Sequence, residues 1–218
     1  MQDLTILFLT VNRVPKEWAK YQKAMLLEAV GNTPIITISK EPLDWGLNLI
    51  QKEEPSVINI YKQLLRGAKE AKTPYIAIAE DDCLYSKDHF EFRSKDNFAY
   101  NHHRWGLLTL GKPVFYYRPR ISNSTLIAPR QLVIDALEER FELYPDFESI
   151  RELGRERGAK LSYRNRIEYF HSKGPLVFVS HVRALDVTEQ EQRKQIGKIQ
   201  AYEIPLWGRA EDVVERFV

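Results

Sequence analysis

Cysteine is nearly absent: Cys83 stands alone in 218 residues. No intrachain disulfide and no cysteine-based zinc site can form, and such usage fits a reducing compartment. Glycine is missing where one class of nucleotide enzyme needs it. The first apolar run ends in Thr10-Val11-Asn12-Arg13, which excludes the Gly-rich turn of a Rossmann dehydrogenase and argues against the phosphate loop of a nucleotidyltransferase. No apolar run approaches the roughly 20 residues of a membrane-spanning helix, and the first residues carry no secretory signal pattern. A cytoplasmic protein without a transmembrane segment is therefore expected. Neither sign of charge dominates, since 32 Lys and Arg face 30 Asp and Glu. The whole chain has no general pull on nucleic acid, although a local basic patch retains one.

The elements that are present spell out an α/β order. Residues 4–11 (LTILFLTV) form a buried strand by their unbroken apolar character. Pro15 suits the first turn of a helix over roughly residues 15–28. A short strand follows at 34–38 (PIITI), then an irregular stretch from Ser39 to Pro55. Ser56 caps a helix to about Ala71, whose stripe is Ile58, Tyr61, Leu64, Leu65 and Ala68. Tyr75–Ala79 is the next strand. Short apolar strands alternating with helices imply a parallel sheet covered on both faces.

The second half is more mixed. Strands are expected at 105–110 and 113–118 around Gly111-Lys112, at 124–128, at 160–164 on an edge and at 175–181. Helices are expected from Pro129 to about Arg140 and over 147–157, with Gly158 as C-cap. The simplest organisation is one domain over 1–187 and a partly helical C-terminal extension over 188–218.

The strand at Tyr75 runs straight into Glu80, Asp81 and Asp82. Ligands of open α/β sheets gather at this carboxyl edge. Alternation along a strand sends Glu80 and Asp82 one way and Asp81 another. Two carboxylates facing one cavity suit a hard cation, Mn²⁺ or Mg²⁺, which prefers oxygen ligands. An exposed acidic turn is the plain alternative.

With these residues in view, the chain resembles glycosyltransferases of the GT-A fold, in the manner of family 2. The resemblance covers about residues 4–185 and rests on TILFLTVNR, NIYKQLLRGAKEAKTP and YIAIAEDD. It implies a Rossmann-like single domain with a mixed, mainly parallel central sheet flanked by helices. It also implies metal-dependent transfer of a sugar from a nucleotide-sugar donor, a UDP-sugar by preference. Glu80-Asp81-Asp82 takes the place of the family's Asp-x-Asp motif, with Glu in the first position. By resemblance, Glu80 approaches the ribose and Asp82 ligates the metal. Thr10, Asn12 and Arg13 at the first strand end, with Ser39 and Lys40 at the second, would hold base and phosphate. Arg66, with Lys69 near it, would face nucleotide or sugar. His181 would be a further metal ligand, with His171 as its alternative. Asp146 or Glu148 would be the catalytic base of an inverting reaction, or else cap the following helix.

Two other clusters carry chemistry. His102-His103-Arg104-Trp105 offers cations and a stacking ring, or a packed Trp105 behind a polar loop. Tyr116-Tyr117-Arg118-Pro119-Arg120 interleaves aromatics and cations and would line an acceptor groove, with Arg164 and Arg166 adding charge. A saccharide or DNA acceptor is compatible with it, as is a lipid-linked sugar or a protein. The competing functions are a nucleotidyltransferase and a non-enzymatic nucleic-acid or glycan-binding module.

Overall fold

The computed structural model describes residues 2–145, 152–156, 161–180 and 196–217. The first strand, β1 (Leu4–Leu9), sends Leu7 into one layer and Ile6 and Phe8 into the other, as its alternation requires. Helix α1 (Lys16–Val30) starts directly after Pro15 and buries Trp18, Gln22, Leu26, Ala29 and Val30 along one face. It ends at Gly31, whose φ of 57° is the left-handed stop that glycine adopts freely. Strands β2 (Ile35–Ser39) and β3 (Leu47–Ile50) follow. Helix α2 (Val57–Glu70) is capped by Ser56, whose Oγ accepts from Asn59 N at 3.1 Å. It leads to β4 (Tyr75–Glu80).

These four strands are parallel, in the spatial order β4-β1-β2-β3. Three more complete the sheet beyond β4. They are β9 (Leu126–Pro129), β6 (Phe98–Asn101) and β10 (Ile167–Phe170), with β9 the antiparallel member. Helix α3 (Arg130–Leu143) packs with α2 on one face around Tyr61, Leu64, Val133 and Leu137. The other face is covered by α1 and by a second sheet of β5 (Cys83–Leu84), β7 (Arg104–Leu108), β8 (Val114–Tyr117), β11 (Leu176–Ser180) and β12 (Gln200–Ala201). The tail then forms a small hairpin, β13 (Glu203–Ile204) with β14 (Gly208–Arg209), and helix α4 (Ala210–Val214). The fold is thus α/β, with a mixed and mostly parallel, Rossmann-like sheet flanked by helices.

Several expectations need correction. The stretch 39–55 contains β3, an edge strand whose Leu47 is 54% exposed, so its apolar signal is weak. The expected edge strand at 160–164 is a series of turns in its described part, and pairing begins at Ile167. Residues 152–156 of the expected 147–157 helix are turn and irregular chain. The remainder of that helix lies outside the described residues. Within the described part of the 188–218 extension, β12 pairs with β8 in the second sheet and α4 is its helical part. Among the described residues no helix is long and apolar enough to cross a membrane.

Candidate functional site

The site is built where β1 and β4 end side by side, with Leu9 opposite Glu80. Helix α1 grips the turn after β4 from behind. Trp18 Nε1 donates to Asp81 O at 2.7 Å, and Gln22 Nε2 donates to Glu80 O at 3.3 Å and to Cys83 O at 3.1 Å. The two anchors are four residues apart and so share one helix face. On the other side, Val179 N donates to Asp82 O at 2.8 Å, and Glu80 N donates to the Tyr85 hydroxyl at 2.9 Å.

These bonds set the three acids in different directions. Oxygens of Glu80 and Asp82 lie with Cys83 Sγ in a group whose ligand atoms are all within 4.8 Å. Asp81 turns toward β1, where its Oδ2 accepts from the Thr10 hydroxyl. Burial, then the Asp82 and Asp81 charges, raise the Glu80 carboxyl above the usual carboxylate range, against the pull of Arg104. Burial and Asp82 push Asp81 up to about 7, with the Thr10 bond opposing. A cation bound here would favour the ionised forms of these carboxyls. The Cys83 thiol donates to Asp82 Oδ1 at 3.2 Å, and burial holds its pKa well above the ordinary value. It therefore stays protonated, and the donors on offer are carboxylate oxygens. That set fits Mn²⁺ or Mg²⁺ rather than a thiolate-seeking metal.

Two cavities meet at this edge. The smaller, about 180 Å³, lies on the α2 side between β1, Gln51, Ser56, Asn59, Gln63 and the three acids. The larger, about 480 Å³, lies on the α1 side, with Arg13, Lys16, Lys20, Lys23 and Trp45 in its wall. Thr10, Arg13, Val14 and Asp81 belong to both. A chain of amides backs the smaller cavity. Gln51 Nε2 donates to Thr10 O at 2.9 Å, Asn59 Nδ2 to Gln51 Oε1 at 2.8 Å, and Gln63 Nε2 to Asn59 Oδ1 at 2.9 Å. The Thr10 carbonyl can only accept, so it fixes the orientation of every amide in the series.

The structure gathers some of the residues singled out from sequence and disperses others. Thr10, Asn12, Arg13, Glu80, Asp81 and Asp82 line the two cavities. Asn12 does so while stapling β1 to β2. It sits at φ 58°, and its Oδ1 accepts from Lys40 N and Glu41 N, each at 3.0 Å. Ser39 and Lys40 line neither cavity. The Ser39 hydroxyl donates to Glu41 O at 2.6 Å, and Lys40 pairs with Glu54 at 3.1 Å. Arg66 donates to Ile50 O at 2.8 Å and holds the end of β3, while Lys69 pairs with Glu138 at 2.7 Å. Asp146, Glu148 and His181 lie outside the described residues. His171 lies by His102 instead, with ring centroids 6.0 Å apart.

No family model matches the chain, and no curated protein matches it. Solved structures do overlap it. The bifunctional IspDF from Campylobacter jejuni aligns at a TM-score of 0.45 and 8% identity, over 79% of this chain and 50% of that one. S. aureus TarS 1–349 in complex with UDP-GlcNAc aligns at 0.43 and 12%, over 83% and 59%. S. aureus TarS aligns at 0.43 and 11%, over 84% and 37%. The chain therefore spans only about half of the length of these structures, or less.

Four contributors escaped the sequence reading: Trp18, Gln22, Asn59 and Gln63. Each sits on a helix face otherwise made of apolar residues, where a buried side chain reads as core. The one available signal was polar amides recurring at four-residue spacing, Asn59 and Gln63, on the buried side of α2.

Proposed function

We propose that the protein transfers a glycosyl group from a nucleotide sugar, a UDP-sugar by preference, to a hydroxyl acceptor. The observation that carries this reading is the pairing of Glu80 and Asp82 beside a cavity backed by oriented amides. Asp82 and Glu80 would hold Mn²⁺ or Mg²⁺, with His181 as a further ligand. A bound cation there would offset the negative charge on a departing nucleoside diphosphate. The smaller cavity would take a nucleobase, and Arg13 on the shared lip would meet phosphate. The hydroxyl proton would pass to a carboxylate within hydrogen-bond reach, Asp146 or Glu148.

A nucleotidyltransferase has less support. The turn after β1 passes through Asn12, whose N–H is already engaged by Thr10 Oγ1 at 2.8 Å. The turn is therefore not an open cradle of phosphate-binding amides.

The test is calorimetric titration of a UDP-sugar panel with Mn²⁺ and with EDTA. Metal-dependent saturation is expected for the intact protein, with a loss of about tenfold or more in Asp82→Asn. Equal binding by the two proteins refutes the metal site. Release of pyrophosphate from a nucleoside triphosphate and an acceptor would replace the transferase reading.

A further inference from the structure

Arg104 begins β7 and is 8% exposed. Its guanidinium carbon stands 3.6 Å from the centre of the Phe178 ring. Its Nε has no partner, and among the described residues the guanidinium forms no hydrogen bond or ion pair. An arginine this deep usually brings a hydrogen-bonded anion in with it. Here the negative groups that face it, Glu80 and Asp82, act without touching it.

Hairpin pairing of β7 with β8 continues the cationic line outward. Arg118 N donates to Arg104 O at 2.9 Å. Arg104 is buried, Arg118 is half-buried and Arg120 is exposed, so positive charge runs from solvent to the edge of the acidic cluster. Burial, then Arg120 and Arg104, hold the Arg118 pKa below the ordinary arginine value. Three arginines along one hairpin edge concentrate positive charge, which steers an anion toward them.

The aromatics of this segment narrow the ligand class. Tyr116 is fully buried, and the Tyr117 ring packs on Trp105 with centroids 5.4 Å apart. Tyr116 therefore offers no ring face for a base to stack on, and the Tyr117 ring is already engaged by Trp105. Charge without a stacking platform fits a saccharide that carries phosphate or carboxylate, groups the arginine fork binds in two-point fashion.

We propose that Arg104, approached through Arg118 and Arg120, binds an anionic group, phosphate or carboxylate, on a saccharide acceptor. The word acceptor rests on the transferase reading; the anion site does not.

Glucose 6-phosphate, glucuronate and glucose are titrated against the intact protein, Arg104→Gln and Arg120→Gln, followed by saturation-transfer NMR. UDP-GlcNAc binding with Mn²⁺ is measured on the same samples. Both charged sugars, or one of them, should bind about tenfold or more tighter than glucose, and the preference names the group. Arg104→Gln should lose about tenfold, and Arg120→Gln only about twofold. Glucose 6-phosphate should raise the melting temperature of the intact protein and leave that of Arg104→Gln unchanged. Equal affinity for glucose and the charged sugars overturns the proposal. So does unaltered binding by Arg104→Gln or, should that variant not fold, by the Arg118→Gln/Arg120→Gln double variant. Displacement of glucose 6-phosphate by a thymidine oligonucleotide at lower concentration overturns the saccharide assignment. Charged-sugar binding that persists where UDP-GlcNAc fails to bind upholds the anion site and removes the donor reading.

Discussion

Replacing His89 by Gln should flatten the acid side of the protein's stability profile. His89 is fully buried among Tyr85, Phe90 and Phe170. Its Nδ1 lies 3.0 Å from Asn101 Nδ2. The Asn101 amide cannot turn around, because its Oδ1 accepts from His103 N at 2.8 Å and its Nδ2 also donates to Ser172 Oγ at 2.6 Å. A proton on Nδ1 would therefore point at an N–H. Burial pulls the His89 pKa down to about 3, with Asp88 opposing weakly. Between pH 6.5 and about 3 the unfolded chain carries a proton that the native chain refuses, so stability falls as pH falls through that window. At pH 5 the loss is ~2 kcal/mol, from 1.5 pH units at about 1.4 kcal/mol each. That figure holds for any native pKa well below 5. Urea melts of the intact protein and His89→Gln at pH 7 and pH 5 measure it. The other histidines contribute to both proteins and cancel in the comparison. The intact protein should lose about 2 kcal/mol more than the variant on acidification. Equal losses refute a neutral, trapped His89.

Two further perturbations separate support from site. Arg140 and Glu156 form an ion pair at 2% and 7% side-chain exposure, beneath the Tyr61 ring. Arg140→Met should cost about 3–5 kcal/mol by stranding Glu156, and adding Glu156→Gln should recover much of it, as read in a double-mutant cycle of urea melts. Trp18→Phe retains the ring contact with Phe217, now at 5.1 Å, but removes the hydrogen bond to Asp81 O. It should lower stability by about 1–2 kcal/mol and weaken Mn²⁺-dependent UDP-sugar binding several-fold, whereas unchanged binding would show that the acidic turn holds itself.

Elements written in strong local terms were legible. Pro15 and Ser56 announce the starts of α1 and α2, and the run from Tyr75 into three acids announces a buried strand that ends in a carboxylate cluster. What stayed hidden depends on partners distant in sequence. Phe98–Asn101 is a fully buried central strand, yet it lies between polar residues and a histidine pair and looks like loop. Its pairing with β9 and β10 makes it a strand. Arg66, Ser39 and Lys40 were credible ligand-binding residues by position. In the structure each bonds the backbone or side chain of a neighbouring segment, which sequence spacing does not reveal. Arg104 reads from sequence either as a cation for phosphate or as part of a polar loop with His102 and His103; its place in β7 and its burial near Glu80 and Asp82 come from the fold.

The two cavities decide how a large donor would lie. A space of about 180 Å³ would take a base but not a whole nucleotide sugar, and Thr10, Arg13, Val14 and Asp81 form the wall it shares with the larger space. A donor seated on the amides therefore has its diphosphate over this lip, next to Glu80 and Asp82. Trp18, Gln22 and Thr10 hydrogen-bond the turn after β4, while the raised pKa values of Glu80 and Asp81 favour their protonated forms in the absence of ligand. Cation binding must displace those protons, so donor affinity and metal affinity should rise together with pH until Asp81, near 7, and Glu80 are ionised. On the proposed function, loss of protons, entry of a cation and seating of a diphosphate would be coupled at this one edge.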